Sequence, residues 1–249
     1  MAQNIYDDAA FLAGYSEFPR SREGLSGTSE WPALRALLPP VRGRRVIELG
    51  CGFGHLCRWL ATEGAQSVLG MDLSEKMLAR AAAETHNAAV TYRRADLDSL
   101  VLEPATAELI VSSMTFHYVE NFARLIGTIF AALAPGGDLV FSVEHPIYAA
   151  RATPEWATAT DGRQAFAIAD YSIEGKRQTN WIVDGVVKYH RTIATMLNGL
   201  RDAGFTYGSV DEWAPSTRQL ETHPDWRETE LARPMFLLIA ARKPATGKN

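Results

Sequence analysis

The feature that most constrains the fold is a glycine-rich turn between an apolar run and a helical pattern. Val46 to Leu49 form a mainly apolar run, short enough to be one buried strand of a parallel sheet. Glycines follow at Gly50, Gly52 and Gly54, and a helical pattern opens at Leu56. Glycine lets the backbone turn tightly and approach a ligand that a Cβ would push away, and the helix start adds free N–H groups. The stretch therefore predicts the nucleotide-binding turn of an α/β unit.

Strands and helices alternate along most of the chain. Strands are predicted over residues 46–49, 67–72, 90–93, 109–113, 138–143, 205–213 and 235–241, and helices over residues 3–14, 29–38, 74–81, 121–133 and 193–203. This rhythm predicts a doubly wound parallel sheet. We expect a single domain over residues 1–249, in which residues 1–40 supply N-terminal helices that form a lid or simply pack.

Residues 145–191 break the alternation and are expected to form an inserted cap within the domain. Two strand-like runs, 178–183 and 186–190, flank Asp184-Gly185, a dipeptide that favours a tight hairpin. The cap can shape a binding site for an acceptor molecule. It can instead make a homodimer contact, because an exposed hairpin edge invites pairing.

Composition and charge exclude several classes of function. The 249 residues are 47% apolar and 22% charged with a net charge of −4, so no electrostatic attraction to nucleic acid is expected. No apolar run approaches membrane-spanning length, and the first residues contain no signal-peptide pattern. Cys51 and Cys57 lack a zinc-ligand spacing, so no metal site is predicted. Both cysteines are expected to stay reduced, which favours a cytoplasmic protein.

Two residues narrow the ligand of the glycine turn. His55 stands where a dinucleotide fingerprint requires its third glycine. Glu48, close to the glycines, would repel a pyrophosphate but favour a cationic ligand with an amino group. The pattern acid-x-Gly-x-Gly-x-Gly resembles motif I of the class I S-adenosylmethionine-dependent methyltransferases. Residues 40–140 and 192–243 together resemble the small-molecule type of this family, similar to methyltransferase types 11 and 25.

The resemblance implies a Rossmann-like fold and a defined cofactor site. The fold would be a doubly wound, seven-stranded, mostly parallel sheet with a reversed C-terminal strand, and the cofactor would be S-adenosylmethionine. The implied cofactor-binding residues are Glu48, Gly50, Cys51, Gly52, Gly54, Asp72, Leu73, Met77, Asp96, Leu97 and Ser113. Motif I would hold the methionine part, Asp72 the ribose, and Asp96 with Leu97 the adenine. Asp72 also lies about twenty residues after the glycines, where open α/β sheets place a ribose-binding carboxylate.

The residues for chemistry are sought at the carboxyl edge of the sheet, where ligands bind in such folds. Methyl transfer from a sulfonium is an in-line displacement, so much of its catalysis can come from positioning, with a base needed only if the acceptor loses a proton. The candidates are His145 and His190 as catalytic residues and His117, Tyr171, Trp181 and Arg191 as substrate-binding residues. Each of them can instead be a packed, capping or anchoring residue.

Three functions remain open from the sequence. The first is methyl transfer to a small-molecule acceptor whose identity and methylated atom stay open, with no nucleic acid or membrane partner and a possible homodimer. The second is an NAD(P)-dependent oxidoreductase, disfavoured by His55 and Glu48. The third is a non-catalytic S-adenosylmethionine-binding protein. The Asn/Asp-Pro-Pro-aromatic motif typical of nucleobase amine methylation is absent, because residues 112–115 read Ser-Ser-Met-Thr.

Overall fold

The computed structural model describes residues 2–245. The strands are β1 (Arg45–Leu49), β2 (Ser67–Asp72), β3 (Val90–Arg94), β4 (Ala107–Ser113), β5 (Leu133–Glu144), β6 (Trp156–Thr158), β7 (Gln164–Phe166), β8 (Gly175–Trp181), β9 (Val183–His190), β10 (Thr206–Glu212) and β11 (Phe236–Arg242). The helices are α1 (Ala9–Ser16), α2 (Pro19–Arg22), α3 (Trp31–Leu37), α4 (His55–Thr62), α5 (Glu75–Glu84), α6 (Phe122–Ala132), α7 (Pro146–Ala149), α8 (Ile193–Asp202) and α9 (Thr217–Thr222). Single 3₁₀ turns lie at Ile5–Asp7, Gly24–Gly27, Phe116–Tyr118 and Pro224–Arg227.

Seven strands form one sheet in the order β10-β11-β5-β4-β1-β2-β3. β11 runs antiparallel to both of its neighbours, and the pairs β5–β4, β4–β1, β1–β2 and β2–β3 are parallel. The predicted Rossmann-like sheet with a reversed C-terminal strand is therefore confirmed. The strand order changes direction between β1 and β4, and such a switch point is where open α/β sheets bind ligands.

Both faces of the sheet are covered because its central strands are apolar on both sides. Neighbouring residues of a strand point to opposite faces. In β1, Val46 belongs to the core shared with α3 and α4, whereas Ile47 belongs to the core shared with α6 and α8. This two-sided burial explains why β1 reads as a continuous apolar run.

The N-terminal segment differs from the predicted helix over residues 3–14. The structure has a 3₁₀ turn at Ile5–Asp7 and then α1, because Asp8 is extended and its side chain accepts the N–H of Phe11 at 2.8 Å as an N-cap. The stretch 15–27, expected to be irregular, contains α2 and a 3₁₀ turn. α3 begins at Trp31, two residues after the predicted start.

The inserted segment contains α7 and two hairpins, β6–β7 and β8–β9. The predicted hairpin is confirmed, but its tip is at Ile182 (φ +65°), and Asp184-Gly185 lies within β9. Ile182 packs on Gly14 of α1, where an added Cβ would lie 2.5 Å from Cγ2 of Ile182. The hairpin tip thus lies at Ile182, against α1, and not at the Asp184-Gly185 dipeptide that favours a tight turn.

No helix within residues 2–245 is both long and apolar enough to cross a membrane.

Candidate functional site

A cavity of about 440 Å³ lies at the carboxyl edge of the sheet. Its walls come from the loops after β1 to β5, from the N-terminal segment, from the inserted segment and from the start of β11. The predicted site residues that line it are Gly50, Gly52, Asp72, Leu73, Met77, Asp96, Leu97, Ser113, His117 and Trp181. The predicted site residues outside its lining are Glu48, Cys51, Gly54, His145, Tyr171, His190 and Arg191. The structure thus brings most of the predicted cofactor residues together.

The glycine loop needs glycine for two different reasons. Gly50 has φ +76°, and a Cβ there would lie 2.0 Å from Oγ1 of Thr115, so a side chain would collide with the loop after β4. Gly52 has φ +50°, and a Cβ there would meet nothing within 4 Å. The space beside Gly52 belongs to the cavity, which leaves its backbone open to a ligand.

Glu48, at the end of β1, lies behind this loop. The residue is 3% exposed, and its carboxyl group accepts a hydrogen bond from the thiol of Cys57 at 2.8 Å. Burial raises the pKa of Glu48 to about 8. Glu48, predicted as a cofactor-binding residue, does not line the cavity, because its side chain points to α4, where Cys57 lies.

Asp72 joins two loops at the wall of the cavity. Its Oδ2 accepts the N–H of Gly52 at 2.9 Å and its Oδ1 accepts the N–H of Ser74 at 2.9 Å. Burial raises the pKa of Asp72, although these backbone hydrogen bonds act in the opposite direction. The helix cap of α5 is Ser74, whose hydroxyl accepts the N–H of Met77, so Asp72 is not needed as that cap.

Asp96 lies at the same wall, after β3. Its Oδ1 accepts the N–H of Asp98 at 2.9 Å, and its Oδ2 accepts the N–H of Ala2 at 3.3 Å. Carboxylate oxygens can accept further hydrogen bonds, so Asp72 and Asp96 together suit a ligand with hydroxyl and amino donors, such as a nucleoside.

The other end of the cavity contains a buried ion pair beneath the hairpin β8–β9. Nζ of Lys188 lies 2.5 Å from Oε1 of Glu144 and 4.8 Å from the ring centre of Trp181. Burial alone would raise the pKa of Glu144, but electrostatic interactions with the neighbouring His117 and Lys188, and the hydrogen bond from Lys188, hold it below its usual value. Burial lowers the pKa of His117 to about 4, so this imidazole is neutral at pH 7.

Lys188, Tyr6 and Tyr118 are among the lining residues that the sequence interpretation missed. The hydroxyls of Tyr6 and Tyr118 lie 3.1 Å apart, and burial raises the pKa of both phenols. Lys188 had a usable signal, since it alternates with Val186 and His190 on the buried face of β9. A lysine on the inward face of a hairpin indicates either an ion pair or a ligand.

His145 and His190, the predicted catalytic residues, do not line the cavity. His145 is fully buried, with Nε2 2.8 Å from Oε1 of Glu212 and Nδ1 accepting the N–H of Ile147. The alternation along a strand explains this, because Glu144 faces the cavity and its neighbour must face away. Nε2 of His190 lies 2.8 Å from the carbonyl oxygen of Tyr171.

Tyr171 and Arg191 hold the inserted segment in place and do not reach the cavity. The Tyr171 hydroxyl accepts the N–H of Ile193 at 3.3 Å. Arg191 donates to the carbonyl oxygens of Val119 and Glu120 in the loop after β4. These hydrogen bonds join the inserted segment to the start of α8 and to the loop after β4.

A metal site is not supported by the part of the chain that the structure describes. Residues 2–245 contain no group of three or more histidine, cysteine, aspartate or glutamate side chains arranged to hold an ion.

A family model and a similar solved structure both point to methyltransferases. A family model for a methyltransferase domain matches residues 47–141. The crystal structure of an S-adenosylmethionine-dependent methyltransferase from Mesorhizobium loti matches with a TM-score of 0.85 at 53% identity, covering 88% of this chain and all of that one. An uncharacterized protein of Haemophilus influenzae is 34% identical over 251 residues, covering 96% of this chain and 97% of that protein.

A more distant relative has a stated reaction. A malonyl-[acyl-carrier protein] O-methyltransferase of Pectobacterium atrosepticum is 31% identical over 109 residues, covering 44% of this chain and 42% of that enzyme. This similarity extends over less than half of either protein.

The buried His117 predicts a pH dependence of stability. The unfolded chain protonates this imidazole near pH 6.5, whereas the folded protein resists protonation until about pH 4. Stability is therefore lost as the pH falls through this window, by about 2 kcal/mol between pH 7 and pH 5 from this group. Urea unfolding of His117→Gln should show a smaller loss over this interval than the parent.

The matched control is His86→Gln, which changes an exposed histidine. It should lose as much stability as the parent between pH 7 and pH 5. An equal loss in His117→Gln and the parent would contradict a buried neutral imidazole at this position.

Proposed function

The chain belongs to the S-adenosylmethionine-dependent methyltransferases, and we propose that one cavity holds both its methyl donor and a small-molecule acceptor. The observation that carries this proposal is the continuity of the cavity. One end is lined by Gly52, Asp72 and Asp96, and the same cavity extends to Trp181 and Lys188. Donor and acceptor can therefore lie next to each other in one cavity.

The donor end suits S-adenosylmethionine, which when bound supplies an electrophilic methyl group on a sulfonium. Gly52 leaves its backbone open to the methionine part, and the carboxylate of Asp72 can accept hydrogen bonds from ribose hydroxyls. Asp96 and Leu97 line the cavity after β3, where the adenine is proposed to lie. Leu73, Met77 and Ser113 complete the proposed cofactor wall.

The acceptor is proposed to enter over the ends of β4 and β5. The donor residues lie after β1, β2 and β3, which leaves the part of the cavity beside Glu144, Lys188 and His117 for a second molecule. Lys188 can donate to an acceptor oxygen or carboxylate, and Glu144 can accept from its hydroxyl or amino group. Trp181 and Tyr118 supply flat apolar walls. Catalysis would come mainly from holding the acceptor in line with the methyl group.

Neither His145 nor His190 is proposed as a base. Both ring nitrogens of His145 form hydrogen bonds outside the cavity, to Glu212 and to the N–H of Ile147. Nε2 of His190 bonds to the carbonyl oxygen of Tyr171, also outside the cavity. Glu144 has a lowered pKa, which makes it a weak base and an effective partner for Lys188. The Pectobacterium enzyme methylates oxygen, but its similarity covers 44% of this chain, so the methylated atom is not transferred from it.

We also propose a domain organisation, a cellular location and a homodimer contact. We take residues 1–249 as one domain, with residues 1–40 as its lid and 145–191 as its cap. The lid and the cap both contribute to the lining of the cavity, which supports these roles. A cytoplasmic location is supported by the free thiols of Cys51 and Cys57. An edge of the β8–β9 hairpin is the proposed contact of a homodimer.

The glycine loop can be tested with two valine substitutions. Gly52→Val should abolish binding of S-adenosylhomocysteine in titration calorimetry, because its side chain would fill the space beside the loop. Gly43→Val is the matched control, since Gly43 also has a positive φ (+74°) and open space around it but lies in the turn before β1. Equal affinity of both variants for S-adenosylhomocysteine would show that the loop does not form the site.

The carboxylate of Asp72 can be tested separately. Hydrogen bonds to a charged group contribute about 1.5–3 kcal/mol, so Asp72→Ala should weaken S-adenosylhomocysteine by about ten-fold or more. Calorimetry measures the affinity, and circular dichroism at the same temperature checks that the variant is folded. A folded Asp72→Ala variant within about two-fold of the parent would exclude a ribose contact.

The acceptor end is tested with Trp181→Ala. The assay incubates the protein with methyl-labelled S-adenosylmethionine and a filtered extract of small metabolites, and counts label in the small-molecule fraction. Trp181→Ala should keep its affinity for S-adenosylhomocysteine but transfer label at least about ten-fold more slowly, a loss of about 1.4 kcal/mol. Trp156→Ala is the matched control, because Trp156 packs on Phe166 outside the cavity.

Two results would contradict this acceptor site. One is a normal rate of label transfer in Trp181→Ala. The other is label that appears only when macromolecules are restored to the extract, which would indicate a protein or nucleic acid acceptor.

A further inference from the structure

We propose that the acceptor is a small carboxylic acid and that the protein converts its carboxylate into a methyl ester. The proposal rests on the proposed function of the cavity and names the class of its acceptor. Two properties of the cavity select this class. The first is the positive charge on the inner face of the β8–β9 hairpin, and the second is the weakness of the bases nearby.

The two ends of the cavity carry opposite charges. The carboxylates that line the end after β2 and β3 are Asp72, Asp96 and Asp98. The charged residues that line the end beside α7 and the β8–β9 hairpin are Glu144, Arg151, Arg177 and Lys188. Arg20 and Glu30 of the lid lie 2.5 Å apart and cancel each other. The acidic end suits a donor with a net positive charge, and the cationic end suits an anionic acceptor.

Arg177 and Lys188 stand opposite each other in the hairpin. Arg177 of β8 is the register partner of Lys188 of β9, and both line the cavity. Directly opposite residues of an antiparallel pair share one face, and like charges placed there destabilise the pair. The inner face of the hairpin thus holds two cations at a local cost, and an anion bound in the cavity would offset that cost.

Arg177 carries the charge that the protein itself does not neutralise. Its Nε donates to the carbonyl oxygen of Ala150 at 2.7 Å, and its Nη2 donates to that of Ile173 at 2.5 Å. Within residues 2–245 its guanidinium forms no ion pair with a carboxylate. Arg151, by contrast, lies 2.5 Å from Glu155, which is outside the lining. Carbonyl groups satisfy the N–H donors of Arg177 but leave its full positive charge.

Lys188 is placed to hold one oxygen of a carboxylate. An ammonium group has three N–H donors, and the ion pair with Glu144 at 2.5 Å uses one of them. The ring of Trp181 is 4.8 Å from Nζ of Lys188, which gives the body of the acceptor a flat apolar wall. One excess charge beside Glu144 suits a carboxylate. A phosphate group brings nearly two negative charges and would be repelled more strongly by Glu144.

The titratable side chains nearest this end are poor bases at pH 7. Burial lowers the pKa of His117 to about 4. The pKa of Glu144 is held below its usual value by His117 and Lys188 despite burial. Burial raises the pKa of the phenols of Tyr6 and Tyr118, so both hydroxyls keep their protons. An alcohol, a phenol or an ammonium group would need a base to remove its proton, whereas a carboxylic acid is already ionised.

Ester formation balances without a proton transfer. A lone pair of the carboxylate oxygen forms the bond to the methyl carbon, and the bond from this carbon to sulfur breaks. The electron pair of that bond stays on sulfur, so the products are the methyl ester and S-adenosylhomocysteine. One negative and one positive charge disappear together, which is favoured where charges are removed from water.

A matched pair of ligands tests the charge preference. Phenylacetate carries a carboxylate, and phenylacetamide has a neutral amide in its place. In calorimetry on the protein saturated with S-adenosylhomocysteine, phenylacetate should bind at least about ten-fold more tightly than phenylacetamide. Lys188→Met should remove this difference while it keeps its affinity for S-adenosylhomocysteine, which shows that it is folded. Lys176→Met, an exposed change on β8, is the control and should keep the difference.

The unmodified protein decides this test by itself. If it bound phenylacetate no more tightly than phenylacetamide, or bound neither, the carboxylate site would be overturned. If it did not bind S-adenosylhomocysteine, the proposed function of the cavity would fail instead.

The product tests the reaction. The unmodified protein is incubated with methyl-labelled S-adenosylmethionine and the metabolite extract, and the small-molecule product is then treated with dilute alkali. Alkali hydrolyses a carboxylic methyl ester to methanol, so the label should become volatile. It should be absent when the carboxylates of the extract are first converted to amides with a carbodiimide and methylamine. A lack of volatile label would overturn the inference, and label in a non-volatile product would do so while leaving the proposed function intact.

Discussion

The hydrogen bond from the Gly52 N–H to the carboxylate of Asp72 is the interaction on which the site depends. It joins the loop after β1 to the end of β2, so that a positive-φ glycine backbone and a carboxylate face one space. Gly50 completes the arrangement, because only a residue without a Cβ can lie against Thr115. The loop is thus positioned by its neighbours on both sides before a ligand arrives, which reduces the ordering that binding requires.

Residues 1–40 and the inserted residues 145–191 contact each other as well as the sheet. Gln3 accepts the N–H of Val187 and donates to the carbonyl oxygen of Gly185, which ties the start of the chain to the hairpin β8–β9. Ile182, at the hairpin tip, packs on Gly14 of α1. The same hairpin contributes Lys188 to the ion pair with Glu144. The N-terminal segment and the β8–β9 hairpin therefore form one connected wall of the cavity.

Local patterns were sufficient to predict the sheet and the loops after β1 to β3 that line the cavity, whereas the wall beside the β8–β9 hairpin depends on tertiary contacts. The run before Gly50 and the position of Asp72 follow from chemistry that each βα unit carries by itself. His145 lies away from the cavity because strand alternation turns it toward Glu212, and this follows only once Glu144 is known to face the cavity. The pairing of Arg20 with Glu30 joins residues of two short elements in the lid, and neither residue stands in a pattern that predicts it.

The most direct test of this account is a crystal structure of the protein with S-adenosylhomocysteine. The account predicts the ribose hydroxyls on Asp72 and the adenine beside Asp96. It also predicts that the sulfur faces the part of the cavity lined by Trp181 and Lys188. A ligand bound outside this cavity, or one whose sulfur faces away from the β8–β9 hairpin, would contradict the proposal that donor and acceptor share one cavity.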